Sequence, residues 1–378
     1  MSDTALSIYQ DSGPPAGSAD YTTLVLVHGF AWHSGIFAKL IPLAAGQNTR
    51  IVLVNRRDYP GATPFSPEDH AVLQAAMTSD AATAHAQLVS FMQDRAREVV
   101  DLLARFVQAN KIPLAQHEEK KGGIVIGGWS FGTAWMSSLL AYRPSVPTGD
   151  IDGGVELSKY VRRVIFYDSP YHVLGFAPPP APHDYNPLFD PAIPPADQTR
   201  VFANWVSGYF AHRTNTPALA AASAASSVSD ADKLAAAATF EVRAHLTAPP
   251  PTLSILTPDE VAAALFPAPG DPGGSDSLLV AGGIPCGVFV TLREAALAIP
   301  TDEAWCAIEV RHVWCDRSVW ETTWTTWNLR WRIAEARKKG EKLREVTSVR
   351  LEGANHFVHW DEPERALAAF LTDEAEKY

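Results

Sequence analysis

The stretch Ile124-Val125-Ile126-Gly127-Gly128-Trp129-Ser130-Phe131-Gly132 decides how the rest of the chain is read. An apolar run rich in β-branched residues leads into a glycine-flanked turn, and residues 133–142 beyond it are helix-like. A lone Gly-x-Ser-x-Gly is no more than a turn. Between a buried strand and a helix it holds its serine on a sharp, strained bend with the hydroxyl exposed, and Ser130 becomes a candidate nucleophile. The neighbouring glycines leave room for the backbone to double back.

Outward from this stretch the same rhythm repeats. Leu24-Val25-Leu26-Val27 is a short continuous apolar run, as in a strand buried on both faces, and it ends at His28-Gly29-Phe30-Ala31-Trp32. Arg50-Ile51-Val52-Leu53-Val54 runs into the polar loop Arg56-Arg57-Asp58-Tyr59-Pro60-Gly61. Residues 6–9 alternate like a first, edge strand, and residues 36–44 can form a helix. Apolar residues recur at three and four positions over 83–109, which predicts a long amphipathic helix. Arg163-Val164-Ile165-Phe166-Tyr167-Asp168 and residues 307–314 are further strands, and 346–351 a last one. Strands alternating with helices imply a mostly parallel sheet covered on both faces, an α/β fold.

Composition changes after Ser169. Residues 177–195 and 267–285 are rich in proline and glycine, and 218–246 are Ala-rich and helix-prone. A structureless loop of that length is implausible in a compact domain, so 170–304 is expected to be an insertion between two core segments, 1–169 and 305–378. A long helix over 319–339 carries Trp320, Trp324, Trp327 and Trp331, and a final helix over 363–375 has Asp361 and Glu364 placed as an N-cap and its reciprocal partner.

The whole chain narrows the function classes. It has 378 residues, 47% hydrophobic and 19% charged, as expected of a globular protein. Its net charge of −11 disfavours a nucleic-acid partner, which needs clustered Lys and Arg. The clearest basic run, Arg330-Trp331-Arg332 with Arg337-Lys338-Lys339, is interleaved with Glu335 and Glu341 and is expected to be a solvated face. The N-terminal residues carry no basic region followed by an apolar run, and no stretch approaches the roughly 20 apolar residues of a membrane span. Cys286, Cys306 and Cys315 are odd in number and not spaced as ligands. They predict buried thiols and a cytoplasmic protein, with no metal.

Serine is a weak nucleophile, so Ser130 needs a base within reach and a third group to orient that base. His356, in Glu352-Gly353-Ala354-Asn355-His356-Phe357, follows the last strand and stands at the carboxyl edge of the sheet, where the elbow also sits. His359 shares that loop and is expected to pack where the chain enters the last helix, while His28 shapes a loop. The chain order serine, acid, histidine leaves two carboxylates that directly follow strands, Asp316 and Asp168. Asp316 is preferred; Asp168 is the alternative. The oxyanion of a tetrahedral intermediate would be held by the backbone N–H groups of Phe131 and Phe30, with Gly29 allowing close approach.

Together His28-Gly29-Phe30, the loop 56–61, the elbow Gly128 to Gly132 and Gly353-Ala354-Asn355-His356 resemble the α/β-hydrolase superfamily. The resemblance implies an eight-stranded, mostly parallel sheet, a Ser-His-acid triad and a mainly helical cap after the sixth strand. The superfamily usually carries its acid after the seventh strand, which favours Asp316, although some members use the earlier position. Loop 56–61 matches the usual Asp-x-x-Gly-x-Gly only loosely. Serine rather than aspartate at the elbow argues against the haloalkane dehalogenase and epoxide hydrolase branches. The implied activity is hydrolysis of a carboxylic ester or lactone without metal or organic cofactor. A C–C bond hydrolase or lyase, or a ligand-binding protein with a vestigial site, are the alternatives. Asn204-Trp205-Val206-Ser207-Gly208-Tyr209-Phe210, with Trp32, Trp129 and the Trp320/Trp324 stripe, predicts an apolar small-molecule substrate under a lid. The oligomeric state is left open.

Overall fold

Continuous apolar runs become the strands of one sheet: β1 (Ser7–Asp11), β2 (Thr22–Val27), β3 (Thr49–Asn55), β4 (Ile124–Trp129), β5 (Val161–Tyr167), β6 (Glu309–Cys315), β7 (Val346–Leu351) and β8 (Glu376–Lys377). The computed structural model describes residues 5–143, 154–213 and 229–378. The strands join in the order β1-β3-β2-β4-β5-β6-β7-β8. The edge strands β1 and β8 are antiparallel to their neighbours and the six between them are parallel. Strands β2 to β5 are buried at every position, as parallel strands covered by helices on both faces must be.

The helix over Ala81–Ala109 starts where Asp80 accepts hydrogen bonds from the Ala82 and Thr83 amides, which would otherwise lack partners. Its buried face, Leu88, Met92, Val99 and Leu103 among others, packs toward the elbow helix Thr133–Tyr142. Each such fully buried side chain stabilises the fold by about 1.5–3 kcal/mol. The segment expected as a helix over 36–44 is instead of the tighter 3₁₀ type, Ser34–Leu43, with Pro42 inside it. Proline offers no amide hydrogen to an α-helical ladder.

Between β5 and β6, the described residues add no strand to the sheet. This stretch follows the fifth strand in the chain's own count. It contains the helices Pro195–Val206, Asp230–Ala237, Ser275–Cys286 and Val288–Leu297. The Ala-rich part over 218–228 lies outside the described residues, and the helix there is described only for Asp230–Ala237. The last two helices lie on the core helices Ala81–Ala109 and Thr133–Tyr142. Together they are long and apolar, but they are bent by 79° at their junction, and among the described residues no single helix is long and apolar enough to cross a membrane.

Three sequence expectations change. Asp361 does not cap the final helix, Pro363–Leu371, whose N-cap is Glu362. Asp361 instead accepts hydrogen bonds at 2.7 Å from both Tyr209 and Thr252 of the insertion, which turn its carboxylate to that side. The tryptophan stripe of Trp320–Lys339 is core, not pocket: Trp327 stacks on Phe240 at 4.8 Å, and the Trp320 and Trp324 indoles donate to the carbonyls of Tyr185 and Ala177. Cys306 is exposed, Cys286 partly so, and only Cys315 is fully buried. Strand β8, two residues long, is too short to carry a pattern. Beside it the Tyr378 hydroxyl lies 2.8 Å from His312 Nδ1 and accepts a hydrogen bond from Ser348. In the basic run Trp331 is buried, while Arg332 pairs with Glu294 and Glu341 and Arg330 with Glu376.

Candidate active site

The elbow is as tight as its glycines imply. A Cβ on Gly128 would stand 2.3 Å from the Gly132 carbonyl oxygen, and one on Gly132 would stand 2.6 Å from the His28 carbonyl oxygen. No side chain fits at either position. Ser130, at the turn, has a φ of 54°, a left-handed conformation rare for residues other than glycine, and such strain gathers at functional sites. Gly29 lies directly across from it, and a Cβ there would come within 2.9 Å of the Ser130 Cβ.

His356 sits in the loop after β7 and is buried. Its Nδ1 lies 2.6 Å from Asp168 Oδ2, which leaves Nε2 as the ring nitrogen without a protein partner. Trp129 also holds this residue, its ring tilted against the imidazole at 4.8 Å and its indole N–H donating to the His356 carbonyl. Asp168 too has a left-handed backbone, with φ of 46°. Its carboxylate accepts from the Cys315 amide at 2.9 Å and from the Ser318 hydroxyl at 2.7 Å. The expected pairing of Asp316 with the histidine is therefore not present. Asp316 accepts from the Gly353 amide and from Arg350, at 2.6 Å to its Nη2. Both oxygens of its carboxylate are thus engaged by β7 and the residue just past it.

The other histidines weighed for the base are engaged elsewhere. His28 has Nδ1 2.9 Å from the Gly29 carbonyl, and its Nε2 accepts the Arg56 amide. Burial and the adjacent Arg56 hold this imidazole well below the usual histidine range. His359 is buried against Tyr167, its Nδ1 2.9 Å from that hydroxyl. Burial and His356 lower its pKa in the same direction.

Loop 29–31 is braced from below. Arg56, buried, donates to the carbonyls of His28 and Gly29, and Tyr59 accepts the Ala31 amide at 2.9 Å. Both side chains converge on Asp276 of the insertion: Arg56 reaches it with two nitrogens at 2.7 and 2.6 Å, and the Tyr59 hydroxyl donates to it at 2.7 Å. Burial and Asp276 raise the Tyr59 hydroxyl well above its ordinary range, so it stays protonated and donating. Phe30, between these anchors, meets Phe131 edge to face at 6.1 Å.

Ser130, His356, Phe30 and Phe131 line one cavity of about 450 Å³, its mouth included. The insertion supplies much of its remaining wall, with Asn186, Leu188, Phe189, Phe202, Val206 and Val280. The apolar surface is thus built from phenylalanines and aliphatics rather than the expected tryptophans. Among the described residues no cluster of three His, Cys, Asp or Glu side chains is arranged to hold a metal. Sequence reasoning did not single out Ser318, Asp276 or Glu321. Ser318 lies two residues past Asp316 and Glu321 directly after Trp320, so two of the three adjoin residues already weighed.

A model described as "Alpha/beta hydrolase family" matches residues 24–370. Among solved structures the chain is similar to a bromoperoxidase from Bacillus anthracis, at 14% identity over 96% of this chain and 94% of that one, with a TM-score of 0.42. It is also similar to a monoacylglycerol lipase from Paleococcus ferrophilus, at 15% identity over 97% and 98% with a TM-score of 0.40. A carboxylesterase structure from the ammonia-oxidizing thaumarchaeon Nitrososphaera gargenis matches at 14% over 97% and 93%, with a TM-score of 0.41. At these values the reactions of these relatives carry no argument for this chain. No curated protein matches.

Proposed function

The chain belongs to the alpha/beta hydrolase family, and from that premise we propose that it is a serine hydrolase cleaving a carboxylic ester or lactone of an apolar substrate. The observation that carries this reading is the 2.6 Å contact of His356 Nδ1 with Asp168, in the cavity that also holds the strained Ser130. With Nδ1–H committed to Asp168, Nε2 is the basic nitrogen available to the serine hydroxyl.

Ser130 Oγ attacks the carbonyl carbon as Nε2 takes its proton, and the carbonyl oxygen becomes an oxyanion held by the Phe30 and Phe131 amides. The intermediate collapses, and the leaving alkoxide departs with the proton returned by His356. Water then attacks the acyl-enzyme, giving its proton to Nε2, and the acid is released as Ser130 regains its hydrogen. Asp168 stays ionised throughout and stabilises the imidazolium. In this reading residues 170–304 act as the cap, since they form much of the cavity wall and choose the substrate.

An active-site-directed phosphonate tests the proposal. A covalent adduct on Ser130 is expected by mass spectrometry, absent from Ser130→Ala. An unmodified wild-type protein that also fails to turn over p-nitrophenyl esters overturns it.

A further inference from the structure

The cavity that holds Ser130 and His356 has a second polar end, formed by Glu321 and Asn186. Glu321 lies in the first turn of the helix Trp320–Lys339 and is 3% exposed. Asn186 donates from Nδ2 to Glu321 Oε1 at 2.9 Å, while its own Oδ1 accepts the Leu188 amide at 2.8 Å. The amide is thereby locked with its donor toward the carboxyl. Among the described residues the side chain that donates to the Glu321 carboxyl is Asn186, and no cation offsets its burial. A buried carboxyl with one neutral donor and no counter-ion is costly, and its place near a helix N-terminus offsets only part of that.

The groups around it do not neutralise it. Tyr171 packs nearby, its hydroxyl pushed up by burial and by the charges of Glu321 and Asp184. His172, also on the cavity wall, is held neutral by burial at a pKa of about 4, and its buried Nδ1 has no partner. Burial pushes the Glu321 carboxyl itself up to about 7. The catalytic steps make no use of it.

We propose that Glu321, oriented by Asn186, recognises a hydrogen-bond donor on the substrate, a hydroxyl or an ammonium at the end of an otherwise apolar body. Phe30, Phe131 and Phe202 line the cavity with Glu321 and supply an apolar wall for the body of such a substrate. The proposal rests on the serine-hydrolase reading of the same cavity. It deepens that reading by naming what the substrate carries besides its ester.

Three ligands of matched size separate the possibilities: ethylbenzene, benzyl alcohol and benzylamine. Their binding to the Ser130→Ala full-length protein is measured by calorimetry at about pH 8, where Glu321 is mostly ionised. No turnover is needed, so this test fails or succeeds independently of the phosphonate adduct on Ser130. Benzyl alcohol or benzylamine is expected to bind about tenfold or more tightly than ethylbenzene. Glu321→Leu should abolish the preference. Glu321→Gln, which still accepts a hydrogen bond but carries no charge, should keep an alcohol preference and lose an amine preference. If the amine is the favoured ligand, its affinity should fall from about pH 8 to pH 6 as the carboxyl takes up a proton. Equal binding of the three ligands to the parent protein overturns the proposal, as does a preference unchanged in Glu321→Leu. If Glu321→Leu does not fold, an amine preference unchanged in Glu321→Gln overturns the ammonium form, and an alcohol preference absent from the parent overturns the hydroxyl form.

Discussion

Asp168 and Asp316 end neighbouring parallel strands, and each carboxylate is buried, yet only one meets the histidine. Asp168 is fully enclosed and gathers the Cys315 amide, the Ser318 hydroxyl and His356. Asp316 is 9% exposed and gathers Arg350 of β7 and the Gly353 amide just past the end of that strand. The left-handed backbone at Asp168, absent at Asp316, turns its carboxylate across the top of β6. Holding a non-glycine residue there costs about 1–3 kcal/mol, which the three donors can offset. Position at a strand end therefore selects candidates, and backbone conformation together with the surrounding donors selects between them.

The comparison can be broken most decisively at the two acids. Asp168→Asn should lower kcat by about 10⁴-fold with the melting temperature little changed, because the amide no longer fixes the imidazole tautomer. The reverse result, an inactive Asp316→Asn beside an active Asp168→Asn, would break it. Next in size is the brace: Asp276→Ala leaves the Arg56 guanidinium buried and unpaired, and should cost about 3–5 kcal/mol in urea unfolding. A smaller effect is expected from Ser318→Ala, which removes one of the donors to Asp168. Loss of a hydrogen bond to a charged group is worth about 1.5–3 kcal/mol, so kcat should fall by roughly tenfold or more, with KM steady. The smallest effect belongs to Asp316→Asn. Losing its pair with Arg350, itself part-exposed, should cost about 1 kcal/mol of stability and leave kcat within about twofold.

Much of this architecture could be read from local pattern. The buried strands β2 to β5 announce themselves as largely apolar runs, and the long helix over Ala81–Ala109 by its three- and four-residue spacing. The glycines around Ser130 have a steric meaning that does not depend on distant residues. What could not be read was whatever depends on direction or on pairing across the chain. Nothing near Asp168 in sequence indicates a positive φ, and Ser318 lies 150 positions away. The tryptophan stripe was visible, but helical spacing fixes which residues share a face and not what covers that face. Phe240, which covers it, comes from the insertion. Glu321 looked like one more polar residue in a helix until the fold placed Asn186 beside it.

The contact between Asp276 and the pair Arg56 and Tyr59 spans up to 220 positions of sequence, and it ties the stretch between β5 and β6 to the loop over residues 29–31. Insertions of this kind invite exchange between relatives as a route to new substrate ranges. Here a transplant would carry off the counter-ion of a guanidinium buried beneath the reaction centre. A foreign cap without an acid at the place of Asp276 would leave the host structurally damaged as well as altered in selectivity. Chimeras of this chain should therefore be designed with Arg56, Tyr59 and Asp276 inherited together, so that altered binding can be told apart from a loosened loop.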